Sequence, residues 1–120
     1  MNYIEIKNIL ENINDPVEKL EVVMDFGKNL KPAPENVQCK EITGCMSLVK
    51  ICRDGNNFYG FADSSLVSGV VAIIVSMVDG KTPEQIRKLN IRKEFESLNI
   101  SLGAGRMNGV NSILGFLENL

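Results

Sequence analysis

Cys39, Cys45 and Cys52 are the side chains in this 120-residue sequence best able to do covalent chemistry. Histidine is absent, which removes Ser-His-Asp and Cys-His nucleophile pairs, histidine general bases and histidine metal ligands. Most hydrolase mechanisms go with them. What remains is thiol chemistry: attack of a thiolate on another sulfur, or thiolate binding of a metal. The spacing C-x5-C-x6-C matches neither the C-x2-C pair of a zinc site nor a C-x-x-C redox motif. Three thiols cannot all pair within one chain. The opening residues MNYIEIKNIL show neither a basic leader with an apolar run nor a small-residue cleavage site. The expectation is a cytoplasmic, reducing setting with all three thiols free.

The three positions are not equivalent. Cys52 falls in a strand-like run with Leu48 and Lys50 on its face, where a cysteine packs as a small hydrophobe. Cys39 falls in a long polar segment, exposed either without a role or as an aid to a neighbouring thiol. Cys45 follows Gly44, which frees the backbone at a loop-to-strand junction, and stands between Lys40 and Lys50, either of which would favour a thiolate. An ordinary thiol, with a pKa of about 8.5, is only slightly ionised at neutral pH, so modest tuning makes a competent exchange nucleophile. By spacing alone Cys45 is as well read as a buried, inert thiol. Gly103-Ala104-Gly105-Arg106-Met107-Asn108-Gly109 superficially suggests a nucleotide fingerprint. Its G-x-G-x-x-x-G spacing is wrong, and it follows a helical pattern rather than a strand, so Gly103 and Gly105 are read as supplying a loop before a helix.

The elements that must carry these residues follow from periodicity and punctuation. Ile6, Ile9, Leu10 and Ile13 predict a short helix over Tyr3 to Ile13. Asp15-Pro16-Val17-Glu18 reads as a cap, a proline at the first helical position and an acidic first turn, opening a second helix that runs toward Leu30. Pro32 and Pro34 stop it, and a loop is expected through about Thr43. Ser47 to Arg53 and Asn57 to Asp63 flank Asp54-Gly55-Asn56 and predict a β-hairpin. Leu66 to Val78, preceded by the cap candidates Asp63-Ser64-Ser65, is read as a central buried helix. Thr82-Pro83-Glu84-Gln85 is a capping box opening a helix to about Leu89, and Arg92 to Leu98 forms another. Met107, Val110, Ile113, Leu114 and Leu117 give a last amphipathic helix after the Gly103-Ala104-Gly105 loop. Helix, helix, hairpin, then helices is an α+β order: a small antiparallel, hairpin-based sheet packed against several helices.

Composition bounds the function. With 44% hydrophobic and 23% charged residues, the chain is expected to be one domain spanning residues 1–120. Lysine plus arginine number 13 against 15 acidic residues, aromatics are 6% and tryptophan is absent. There is neither a positive excess for a phosphate backbone nor a set of stacking platforms, so no nucleic-acid partner is expected. Leu66 to Val78 is well short of the roughly 20 residues a membrane span needs, so no membrane partner is expected either.

Taken in order, several pieces resemble one family. They are Gly44-Cys45-Met46-Ser47-Leu48-Val49, then Ala62-Asp63-Ser64 leading into the apolar helix with Gly69, then Gly80-Lys81-Thr82-Pro83-Glu84-Gln85-Ile86, and finally Leu102 with Arg106-Met107-Asn108-Gly109. This set, over roughly residues 16 to 120, resembles the SufE-like sulfur acceptors, partners of pyridoxal-phosphate cysteine desulfurases in iron–sulfur cluster assembly. The resemblance implies a SufE/IscU-like fold. It implies that Cys45 accepts persulfide sulfur, that the chain stimulates the desulfurase and delivers sulfur to a cluster scaffold, and that no cofactor or metal of its own is needed. It makes Gly44, Met46, Ser47 and Arg106 loop or partner-binding candidates, with Met46 and Leu48 as apolar cover for the persulfide. Turnover without a partner is not expected.

Two positions depart from the family pattern. Lys50 stands where the family usually has Trp, and Gly103-Ala104-Gly105 replaces the usual Ser-Pro-Ser before Arg106, which implies a more mobile loop there. Two other function classes compete with the sulfur carrier. One is a metal or iron–sulfur scaffold using Cys39, Cys45 and Cys52; the other is a non-catalytic desulfurase-binding regulator.

Overall fold

A computed structural model describes residues 1–120. Six helices pack with one three-stranded sheet, the expected α+β arrangement. Helix α1 (Tyr3–Glu11) opens with a capping box in which the Asn2 side chain accepts from the Glu5 amide. Helix α2 (Pro16–Gly27) is capped by Asp15, with Pro16 at its start. It ends at Gly27 rather than Leu30, and residues 28–30 follow as a turn.

The first correction to the sequence reading is a strand in the segment expected to be a loop. Strand β1 (Gln38–Glu41) pairs antiparallel with β2 (Val49–Asp54), and β2 pairs with β3 (Asn57–Ala62) in the order β1-β2-β3. All four β1 residues are exposed, so no apolar alternation marks the strand, and its backbone pairing alone defines it. The β2–β3 hairpin matches expectation: Asp54 faces Asn57 across a two-residue turn in which Gly55 has φ +60°.

Helix α3 (Ser65–Val78), capped by Ser64, is the central helix, buried from Gly69 to Val78 except at Ala72 and Ser76. Each fully buried Val or Ile there contributes about 1.5–3 kcal/mol. Its main partner is α2. The two backbones come close because Gly69 lies against Val23: a Cβ on Gly69 would stand 2.6 Å from the Val23 carbonyl carbon. On its other side α3 covers the sheet face bearing Val49, Ile51 and Phe58.

Helix α4 (Pro83–Leu89) has the expected Thr82–Gln85 capping box, and α5 (Ile91–Ser97) follows after Asn90 at φ +51°. The buried Lys19 donates to the Leu98 carbonyl, 3.0 Å away, at the C-terminal end of α5, where a cation meets unpaired carbonyls and the negative end of the helix. Helix α6 (Ala104–Glu118) buries Gly109, Val110, Ile113, Leu114 and Leu117. Here is a second correction. Only Gly103, at φ +83°, is outside this helix; Ala104 and Gly105 form its first turn, and Gly109 lies in its interior. The expected mobile Gly103-Ala104-Gly105 loop is mostly helix. No single helix is long and apolar enough to cross a membrane.

Candidate functional site

The strand pairing decides the fate of two of the three thiols. Ile42 donates its amide to the Val49 carbonyl at 2.9 Å, so by alternation Cys39 and Cys52 occupy a non-hydrogen-bonded pair, where side chains approach closest. They form a disulfide, with their Cα atoms 4.0 Å apart. This corrects the expectation of three free thiols. It also corrects the packing assigned to Cys52, which is buried yet lies outside the hydrophobic core cluster. On this outer sheet face it lies between Cys39 and Tyr59. Cys45 is the one free cysteine. A scaffold using Cys39, Cys45 and Cys52 therefore loses two of its ligands. No cluster of three or more Cys, Asp or Glu side chains is arranged to hold a metal.

Cys45 sits on the connection between β1 and β2, inside the ring closed by the disulfide, whose two cysteines are 13 residues apart. The ends of that connection are fixed. At one end Ile42 is buried and bonded to Val49; at the other, Leu48 donates its amide to the Asp63 carboxylate at 3.0 Å and accepts from the Asp63 amide at 3.2 Å. Between these anchors Gly44 adopts φ +84°, a left-handed conformation that favours glycine. It also lies against α6, since a Cβ there would fall 2.8 Å from Ser112 Oγ.

The Cys45 thiol turns inward from this loop. Its S–H points at the Gly109 carbonyl with Sγ 3.7 Å from the oxygen, the only side-chain hydrogen bond made by residues 43–47. A cavity of about 500 Å³ adjoins it, lined by Met46 and Ser47 from the loop, Val67 and Val70 from α3, and Leu102, Arg106 and Gly109 around α6. Burial disfavours the thiolate and pushes the Cys45 thiol above the ordinary cysteine range. Neither Lys40 nor Lys50 contributes to that shift, contrary to the role the sequence suggested for them.

The other candidates fall around this thiol in different ways. Met46 is 86% exposed, so it is the tip of the loop rather than cover for Cys45; α3 and α6 supply the cover. Leu48 and Phe61 are also partly exposed and lie diagonally on the outer sheet face, where Lys50 pairs with Phe61. Arg106 is exposed at the mouth of the cavity, and its guanidinium reaches the Leu102 carbonyl at 3.4 Å. Sequence reasoning missed Gly109 and Ser112 as the surface on which the loop rests. Small residues at 105, 109 and 112, spaced along one helix face, were the available signal. A larger cleft of about 840 Å³ lies beside α1 and α5. Within it Tyr3 and Lys7 both donate to Glu94 Oε1 at 2.7 Å.

The sequence profile of the family described as SufE, an Fe–S metabolism associated domain, matches residues 4–120. The chain belongs to the SufE family. Among relatives of this SufE domain, an uncharacterized SufE-like protein of Synechocystis is 31% identical over 98% of this chain and 78% of its own length. The sulfur acceptor protein CsdE of Escherichia coli is 26% identical over 90% of this chain and 80% of its own length. The solution structure of a hypothetical protein from Thermus thermophilus superposes with a TM-score of 0.68. The match covers 98% of this chain and 90% of that one at 13% identity, which establishes the common fold.

Proposed function

We propose that this SufE-family chain is a sulfur acceptor of iron–sulfur metabolism and that Cys45 is its accepting residue. The observation that carries the reading is that the one free thiol stands on a loop anchored at both ends, where the only side-chain hydrogen bond at its centre is a weak S–H···O contact. The partner is a pyridoxal-phosphate cysteine desulfurase carrying a persulfide on its own cysteine. Cys45 thiolate attacks the terminal sulfur, the sulfur–sulfur bond of the desulfurase breaks, and the desulfurase thiolate leaves. Cys45 then bears the persulfide, and a nucleophile of an iron–sulfur scaffold removes its terminal sulfur. The chain itself needs no cofactor or metal.

The seated thiol is largely protonated at neutral pH, so the attacking thiolate forms when the loop swings out toward the desulfurase. Exposed Met46, Leu48 and Phe61 supply apolar surface for that encounter. Gly44 is the point about which the loop turns, Ser47 lines the vacated pocket, and Arg106 orients the partner. Return to the cavity shields the persulfide from thiols and oxidants. A cytoplasmic setting fits this role. The thiol argument for it no longer holds once Cys39 and Cys52 are paired.

Intact-mass spectrometry after incubation with a cysteine desulfurase and cysteine tests the reading. Wild type and a Cys39→Ser/Cys52→Ser double variant should gain reductant-labile sulfur, and Cys45→Ser should gain none. Full acceptance by Cys45→Ser would overturn the assignment. Desulfurase stimulation that survives Cys45→Ser, with no sulfur gained by wild type, would identify a regulator instead.

A further inference from the structure

Gly109 lies inside α6, where glycine is the least favourable residue after proline, so its presence calls for a reason. A Cβ at this position would stand 3.1 Å from Cys45 Sγ, 3.3 Å from Cys45 Cα and 3.4 Å from Cys45 Cβ. All of its nearest neighbours belong to one residue. The other glycines of the helix differ: a Cβ on Gly105 would meet only Met46 Sδ at 3.2 Å, the far end of a flexible side chain, and one on Gly115 only Arg92 Nη2 at 3.9 Å. The same Gly109 also supplies the carbonyl that receives the thiol proton.

We infer that Gly109 is a positioning residue for Cys45: its missing side chain sets how deeply the thiol seats against α6, and so how strongly the loop is held in. The inference takes its functional meaning from the sulfur-acceptor reading, but its physics does not require a desulfurase. If a methyl group is placed at Gly109, either the helix or the loop must move. Helix α6 is held in the core by Val110, Ile113, Leu114 and Leu117, all buried. Residues 43–47 have one side-chain hydrogen bond, and the methyl crowds that very contact. The loop gives way, and the thiol moves toward water. A persulfide is one sulfur longer and has less slack, so the same methyl exposes it further.

The test is the rate of iodoacetamide alkylation of Cys45 against pH in the full, disulfide-intact chain, for wild type, Gly109→Ala and Gly115→Ala. Gly109→Ala should react about three- to ten-fold faster near neutral pH, with its midpoint moved down toward that of an ordinary thiol. Gly115→Ala adds a methyl to the same helix away from the loop and should follow the wild-type profile. A Gly109→Ala profile that coincides with wild type, or an equal shift in Gly115→Ala, would overturn the inference. Should Gly109→Ala fold poorly, its loss of thermal stability should shrink in a Cys45→Gly background, where Sγ and Cβ are gone. An undiminished loss would overturn the inference just as surely. Because alkylation involves no desulfurase, a wild type that accepts no sulfur would count against the acceptor reading alone.

Discussion

Two close approaches in this molecule use the same device for opposite ends. At the α2–α3 crossing, Gly69 lets one helix backbone rest on another, and a Cβ there would fall 2.6 Å from the Val23 carbonyl carbon and 2.9 Å from Val23 Cγ1. At the α6 seat, Gly109 lets a loop rest on a helix, and a Cβ would fall 3.1 Å from a side-chain sulfur. In the first, both sides are helices locked by core packing, and neither can yield. In the second, one side is a short connection with fixed ends and a loosely held middle. A glycine therefore makes a rigid joint or a releasable seat according to what it faces.

The sharpest way to break this comparison is Gly69→Ala. The added methyl meets main-chain atoms that cannot rotate away, so separation of α2 from α3 is required. The expected cost is about 3 kcal/mol or more, at or beyond the upper end for overpacking, read as a drop in the denaturant midpoint. The alkylation profile of Cys45 in the protein that remains folded should be unchanged. A stable Gly69→Ala chain, or one with an exposed Cys45, would mean that the two contacts are not separate devices.

The disulfide sharpens the comparison from the other side of the loop. It closes a ring around Cys45 at the base of the connection, whereas Gly109 acts at its centre. For a ring of this length, constraint of the unfolded chain contributes about 2–4 kcal/mol. The Cys39→Ser/Cys52→Ser variant should lose roughly that much stability by chemical denaturation. Its Cys45 pH midpoint should move less than that of Gly109→Ala, because α3 and α6, not β1, cover the thiol. A larger movement would make the base of the loop, rather than the α6 seat, the control on exposure.

What was legible in the sequence follows the strength of local signals. The capping residues Asp15, Ser64 and Thr82 and the Gly55 turn mark their elements through short-range chemistry, and each stands where it was expected. Strand β1 was not legible, because four exposed residues carry no alternation and their pairing depends on β2, several residues away. The disulfide was hidden for the same reason, since it exists only through the register that sets Cys39 opposite Cys52. Cys45 was legible as a position, through Gly44 and the family pattern around it. Its environment was not: neighbouring lysines in sequence suggested a favoured thiolate, whereas burial against α6 favours the thiol. Gly103 and Gly105 were read as loop formers because glycine is a helix breaker by default, yet Gly105 lies in the first turn of α6; Gly109 fell within the expected helix, and only a tertiary contact explains why a glycine stands there.

The smallest effect is expected at a third kind of contact, held by charge rather than by fit. Glu94 on α5 receives hydrogen bonds from Lys7 and Tyr3 on α1, and these hold its carboxyl below the ordinary carboxylate range. A carboxylate with a lowered folded-state pKa contributes stability above its unfolded pKa and loses it as pH falls through the folded value. Tyr3 moves the opposite way, upward, through burial and then through Glu94, which leaves its hydroxyl a donor across this whole window. Glu94→Gln keeps the shape of the contact and removes its titration. The variant should be slightly less stable than wild type at neutral pH, and the difference should narrow as the solution is acidified past the carboxylate range, in denaturant midpoints taken between about pH 3 and 7. The Cys45 alkylation profile should stay where it is, because α1 forms no part of the wall around that thiol. A shifted profile would tie the N-terminal helix to the seat and replace two independent contacts with one coupled structure.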